Sequence, residues 1–504
     1  MTHVHDAVIV GAGFGGMGAA IQLRRLGYDD LLIIERESDV GGTWHVNRYP
    51  GLAVDIPSAT YSYSFEPNPF WSRLYAPGPE LKRYATHVAE KYDLRRHLQL
   101  DTAVTGASWD ESSSTWEVAT DSGETHRARF LLPATGFLSQ PHTPDFPGMA
   151  DFRGEVVHTA AWPEHVELAG RRVGIIGTGA TAVQLIPELA KQARHLTVFQ
   201  RTPIWVSPKL DGPVPRVVQQ AFARLPLTQK AARLTGTAIL EVMMVAGVLH
   251  YRDLPAAHRL AARFCRAHLH RQVSDPELRA KLTPRYSFGC KRPTYSNDYY
   301  PTLCRDDVHL QTGTIDHLDA DGIVTVDDGT QTRADLDVLV LATGFDLWET
   351  NFPAFRIVGR EGRDLGKWWR QERFVTYEGI SIPRFPNLML LNSPYAYSGL
   401  SYFTTIEYQM RHMERLLASL QQRGADVFEV TEEATDAFVA RMKERLEDSV
   451  FVQGDCATAH SYYFNQHGEA VLLRPTSSLD SRRESRRFPL DDYRFRRAGA
   501  VAVR

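Results

Sequence analysis

An α/β fold with two Rossmann-like dinucleotide-binding domains is what the sequence predicts, on three observations. Two glycine-rich loops, Gly11-Ala12-Gly13-Phe14-Gly15-Gly16 and Gly177-Thr178-Gly179-Ala180-Thr181-Ala182, each follow a short apolar run and precede a helical stretch. Two apolar strands end in the same four letters, Ala134-Thr135-Gly136-Phe137 and Ala342-Thr343-Gly344-Phe345, each after short strands and turns. The chain has 504 residues, beyond the roughly 250–300 at which a single core stops growing.

In the first unit, Ala7–Val10 reads as a strand, the glycine loop as a tight turn and Gly18–Leu26 as helix. Glycines let the backbone approach a pyrophosphate, and the helix N-terminus offers free N–H groups to it. The next strand, Leu31–Ile34, ends in Glu35, whose carboxylate suits ribose hydroxyls. Gly41 and Gly42 stand beside Thr43 and Trp44, so backbone can lie against a flat ring there, and the segment runs through Pro50-Gly51 to Asp55. Tyr61, Tyr63, Phe65, Phe70 and Trp71 follow. Composition assigns this group to the core, with Tyr61 kept as a candidate cofactor contact.

In the second unit Arg172–Ile176 is the strand and Val183–Ala190 the helix; Ala182 serves where only a small side chain fits. The following strand ends in Gln200-Arg201-Thr202 in place of a ribose-binding acid. A guanidinium there suits a 2′-phosphate, so this unit is expected to prefer NADP to NAD. The strand-and-turn runs before the two A-T-G-F endings predict a small antiparallel excursion on each parallel sheet. Residues 207–284 break the sheet pattern with a Pro-rich bend and helical periodicity, a helical insertion in the second domain. The chain rejoins the sheet at Gly289-Cys290-Lys291-Arg292-Pro293. Long helices are expected near 404–423 and 432–447, and the polar-aromatic run Cys456–Gly468 reads equally as a cofactor wall or a surface loop.

Composition narrows the function classes. A hydrophobic share of 43%, a charged share of 23% and a net charge of −3 describe an ordinary soluble protein with no overall pull toward nucleic acid. Four Cys without a C-x-x-C pair or metal-ligand spacing argue against a metal site, a disulfide framework and a thiol relay, and fit a reducing cytoplasm. No secretory leader is visible, and the longest apolar run, Ala238–Leu249, is too short for a transmembrane segment and reads as a buried helix, with attachment to a membrane surface as the other reading.

Residues Phe152-x-Gly154-x-x-x-His158-x-x-x-Trp162-Pro163 match at every fixed position the pattern of type I Baeyer-Villiger monooxygenases. Related flavin-containing monooxygenases that oxidise nitrogen or sulfur carry Tyr where this chain has Trp162. Gly42-x-Trp44 to Asp55 and Ala342–Phe345 resemble two further family patterns, and the resemblance covers about residues 5–350 and, more loosely, the rest. It implies FAD in a domain made of residues 1–145 and 336–504, and NADPH in a domain of residues 146–335. It further implies O2 as oxidant and a flavin C4a-peroxide that attacks an apolar ketone to give an ester or lactone. By the same resemblance Arg292 is the active-site cation, Asp55 its carboxylate partner, and Arg201, Thr202 and Lys291 the 2′-phosphate site. Phe152, Gly154, His158, Trp162 and Pro163 are then a hinge between nucleotide domains, not substrate contacts. Tyr462 stands in Ser-Tyr-Tyr where the best-known members have Ser-Trp-Tyr. Sulfur or nitrogen oxidation and a plain NADPH-dependent flavoprotein reductase are the other readings.

Overall fold

The computed structural model describes residues 3–397 and 399–499. The first sheet contains β1 (Val4–Val10), β2 (Leu31–Ile34), β3 (Leu98–Gln99), β4 (Val104–Asp110), β5 (Thr115–Thr120) and β6 (Thr125–Pro133). A late strand, β17 (Arg356–Val358), completes the seven in the order β17-β4-β5-β6-β1-β2-β3. β1 lies between two parallel neighbours, β6 and β2. Such a strand is covered on both faces, which is why Ala7–Val10 is uninterruptedly apolar. The antiparallel β4 and β5 are the expected excursion. The helix Phe14–Arg25 packs on the helix Tyr402–Gln422 so closely that a Cβ on Gly18 would lie 2.8 Å from Ile406.

The second sheet contains β7 (Glu155–His158), β8 (Arg172–Ile176), β9 (His195–Phe199), β12 (Val308–Gln311) and β16 (Val338–Leu341), in the order β12-β9-β8-β16-β7. All its pairings are parallel. Its antiparallel excursion is a separate sheet of β13 (Thr314–Asp319), β14 (Gly322–Asp327) and β15 (Thr330–Asp335). This arrangement corrects the boundary drawn at residue 335. β16 sits between β8 and β7, and its Val-Leu-Val-Leu is buried throughout, as a central parallel strand requires. The second domain therefore runs to the Ala342–Phe345 linker, and the chain then returns to the first sheet through β17 and Leu388.

The insertion comprises the helices Arg216–Arg224, Pro226–Glu241, Pro255–Gln272 and Pro276–Leu282, with a π-helical stretch, Val242–Leu249. Its entry and exit are clamped by β10 (Val206–Ser207) and β11 (Thr294–Tyr295), which pair in parallel. That clamp delivers Lys291 and Arg292 to the edge of the second nucleotide unit. Ala238–Leu249 is not the buried helix expected of it: Val248 and Leu249 are buried, whereas Ile239 and Val242 face solvent. Near the C-terminus β18 (Val427–Val430) and β19 (Tyr493–Arg496) form an antiparallel pair.

Candidate active site

The two glycine loops are built alike. Gly11 (φ 108°) and Gly177 (φ 114°) both adopt backbone angles that side chains disfavour. A Cβ on Gly11 would lie 2.7 Å from the Ala134 carbonyl oxygen, and one on Gly177 would lie 2.4 Å from that of Ala342. The A-T-G-F echo thus has a structural cause. In each unit the strand beside the glycine-loop strand ends in a small residue that passes directly under the loop.

Both loops open on one cavity of about 1810 Å³. From the first unit it takes Gly11, Gly13, Phe14, Glu35, Gly42, Thr43, Trp44, Asp55 and Tyr61; from the second it takes Gly177–Thr181, Arg201, Thr202, Lys291 and Arg292. Glu35 is buried, and its carboxylate accepts from the Ala12 amide at 2.6 Å and the Glu37 amide at 3.0 Å. Burial raises its pKa against the pull of those two amides. Trp44 donates its indole N–H to the Tyr61 hydroxyl at 3.1 Å, so Tyr61 is a wall of the cavity, while Tyr63 and Trp71 are core and Phe70 is exposed. Gly16 does not line the cavity: it packs under the loop, where a Cβ would run into the Gly11 carbonyl.

Arg292 and Asp55, 237 residues apart, form a two-point ion pair with Nε–Oδ2 at 2.7 Å and Nη2–Oδ1 at 3.2 Å. Arg292 also donates to the Tyr397 hydroxyl at 2.6 Å. Burial opposes its charge, but Asp55 and then Tyr397, Tyr463 and Tyr462 hold its pKa well above the ordinary arginine value. The guanidinium is a fixed cation on the cavity wall. Lys291 next to it is the opposite case, with burial and then the nearby Arg201 lowering its pKa to about 8. Thr178 donates to the Thr202 carbonyl at 2.8 Å and so locks the loop to the turn that follows β9.

Among the described residues no hydrogen bond or ion pair joins the 152–163 motif to the Arg292–Asp55 pair. Phe152 is buried in a small core cluster with Ile176, Phe199 and Leu339. Gly154 leaves room for it, since a Cβ there would lie 2.4 Å from the Phe152 ring and 2.7 Å from the Asp337 carbonyl. His158 accepts from the Ala160 amide at 3.1 Å, and its Nε2 lies 3.4 Å from Thr343 Oγ1. Burial lowers its pKa. Thr343 belongs to one of two linkers between the sheets, which run side by side where the His142 amide donates to the Gly344 carbonyl at 2.9 Å. Of the motif only Trp162 reaches the cavity among its fixed positions; Pro163 is exposed.

Several groups at the site carry no signal in the sequence. Gln184, on the helix Ala180–Leu189, exchanges two hydrogen bonds with Ala53, donating at 3.0 Å and accepting at 3.3 Å, and so pins the Asp55 segment to the second domain. Tyr397 and Tyr463 complete the surroundings of Arg292. The run Cys456–Gly468 proves to be a cavity wall through His460, Tyr462 and Phe464. Cys290 and Cys456 are joined as a disulfide, contrary to the reading that set disulfides aside. The two are 166 residues apart, so local spacing gives no sign of the pair, which ties the Lys291–Arg292 turn to that wall. Among the described residues Cys265 and Cys304 are free.

A family model described as pyridine nucleotide-disulphide oxidoreductase matches residues 8–231. The chain is 37% identical to a Baeyer-Villiger monooxygenase of Streptomyces coelicolor, over 99% of this chain and 94% of that relative. It is 36% identical to one of Pseudomonas aeruginosa, over 96% and 90%. Among solved structures, an oxidized steroid monooxygenase bound to NADP superposes with a TM-score of 0.86 at 33% identity, covering 98% of this chain and 100% of that one. A closed crystal structure of cyclohexanone monooxygenase gives 0.85 at 31% identity, over 99% and 100%.

Proposed function

The chain belongs to the Baeyer-Villiger monooxygenase family, and on that footing we propose that it inserts one atom of O2 beside the carbonyl of an apolar ketone, consuming NADPH and releasing an ester or lactone. The observation that carries this reading is the single cavity onto which both glycine loops and the Arg292–Asp55 pair open. FAD is assigned to the first loop and NADPH to the second. The residues fit both groups. Gly13 and Gly42 face each other so that a Cβ on Gly42 would lie 3.1 Å from the Gly13 backbone, while a Cβ on Gly179 would meet nothing within 4 Å, which leaves that backbone open to a pyrophosphate. The flavin, when bound, supplies the redox chemistry with NADPH and oxygen.

The rest falls to the chain's own side chains. Glu35 holds a ribose, and Arg201, Thr202 and Lys291 hold the 2′-phosphate, with His460 near enough to both cations for them to lower its pKa after burial does. Asp55 fixes the plane of Arg292 through two hydrogen bonds, and Tyr397 takes a third. The guanidinium so held stabilises the oxyanion that develops as the ketone carbonyl is attacked. His158 and Trp162 act as a connector that couples nucleotide binding to the two linkers. A cytoplasmic location is part of this reading; among the described residues no helix is long and apolar enough to cross a membrane. Incubation of the FAD-loaded enzyme with NADPH, air and cyclic, linear and aryl ketones tests it. Esters or lactones are expected, and sulfoxides from added sulfides with no ester from any ketone contradict it.

A further inference from the structure

The helix Pro226–Glu241 is built inside out. Its inward face carries polar groups: Gln229 donates to the Asn68 carbonyl at 2.6 Å, and Arg233 donates to the Ser62 carbonyl at 2.7 Å and lies 3.7 Å from Glu407. Gly236 sits on the same side, where a Cβ would lie 2.8 Å from Thr60. The outward face has Leu227, Ala231, Leu234 and Ala238, with Val242 just past its end, at successive spacings of four, three, four and four that keep all five on one stripe. Leu227 is 78% exposed, Leu234 61% and Val242 65%. A helix that faces water places its polar residues outward, so this one is matched to an apolar neighbour.

The stripe continues on both sides. The helix Arg216–Arg224 packs beside it and exposes Val217, and the loop carrying exposed Phe70 is bound to both helices through Gln219 to the Trp71 carbonyl and Gln229 to that of Asn68. At the far end Glu241 accepts from the Ser478 amide at 2.7 Å, which brings in the helix Ser478–Arg487 with exposed Leu479. Charge distinguishes the face from the rest of the molecule. Residues 212–240 contain four Lys and Arg and no Asp or Glu, in a chain of net charge −3. Arg216, Arg224 and Lys230 are exposed there, and Arg482, Arg483 and Arg486 are exposed on the adjoining helix.

We propose that this face docks on the surface of an anionic lipid bilayer, with the helix Pro226–Glu241 lying along it. Apolar side chains that enter the acyl boundary beside cations that meet lipid phosphates are what such a surface selects. A second copy is the poorer occupant, because a two-fold contact sets a patch against itself and here would set cations against cations. The inner side of the helix rests on residues 58–62, next to Asp55 and Tyr61 of the cavity wall. Docking would therefore place the bilayer beside the cavity; that it supplies an apolar substrate rests on the reading above, whereas docking itself does not.

Sedimentation of the FAD-loaded enzyme with vesicles tests this, using phosphatidylcholine alone and phosphatidylcholine mixed with phosphatidylglycerol. Binding to the mixed vesicles is expected, weakening in high salt. Leu234→Glu with Val242→Glu, and separately Arg216→Gln with Lys230→Gln, should each lower the partition coefficient on the order of tenfold or more. Their melting temperature and NADPH consumption without vesicles should be unchanged. Failure of the wild type to bind mixed vesicles, or equal binding by the variants, overturns the proposal. So does a concentration-dependent dimer that Leu234→Glu dissociates in a protein that ignores vesicles.

Discussion

Raising the pH through about 8 should weaken NADPH binding and leave NADH binding alone. Lys291 is the cause. Its ammonium is half-buried beside Arg201, and burial followed by that like charge brings its pKa to about 8. The charge is present below that value and lost above it. A group of this pKa goes from about nine-tenths protonated at pH 7 to about one-tenth at pH 9. If the neutral amine contributes nothing to holding the 2′-phosphate, affinity falls about tenfold over this range, ~1.4 kcal/mol. A phosphate monoester with a second pKa near 6 stays dianionic throughout, so the titration belongs to the protein. Anaerobic flavin reduction at varied NADPH concentration gives the dissociation constant at each pH. NADH, which lacks the phosphate, should show a flat profile, and Lys291→Arg, always charged, should flatten that of NADPH. Parallel slopes for the two nucleotides, or a wild-type decline in Lys291→Arg, would refute the assignment of Lys291.

Arg292→Ala should lose oxygenated product by on the order of 10²–10³-fold while NADPH still reduces the flavin, because the cation acts after hydride transfer; equal loss of both half-reactions, read by stopped flow and product analysis, contradicts that role. Arg201→Ala should raise the KM for NADPH and narrow the preference over NADH, and an unchanged preference in steady-state assays moves the phosphate site elsewhere. Gly177→Ala forces a Cβ to 2.4 Å from the Ala342 carbonyl at a φ of 114°, costing on the order of 1–3 kcal/mol from the backbone alone. A thermal melt should show it as a lower Tm with weakened NADPH binding, and a wild-type melt would mean that the linker yields.

Much of this site is legible in the sequence because its groups are bound to local patterns. The glycine loops, Glu35 and Arg201 occupy fixed places in a strand-turn-helix unit, and each lines the cavity. Arg292 and Asp55 are different: neither spacing nor composition joins residues 237 apart, and only the family resemblance pairs them. Tyr397, Gln184 and the Cys290–Cys456 bond stay hidden for the same reason, since each acts across elements whose mutual placement is tertiary. The sheet membership of Val338–Leu341 is another such case, because an apolar strand of four residues fits the centre of either parallel sheet. Periodicity marks residues 207–284 as helical but gives neither the bounds of the helix Pro226–Glu241 nor which face is outward. The usual rule buries the apolar stripe, and Gln229 and Arg233 reverse it by finding backbone carbonyls underneath.

Isotopically labelled dioxygen tests the proposed reaction most directly. With NADPH, an apolar ketone and the FAD-loaded enzyme, the ester or lactone should gain the mass of a single labelled oxygen atom, and Arg292→Ala should lower the yield of labelled ester by on the order of 10²–10³-fold. Ketone recovered unchanged while NADPH is consumed, across cyclic, linear and aryl substrates, would contradict the account.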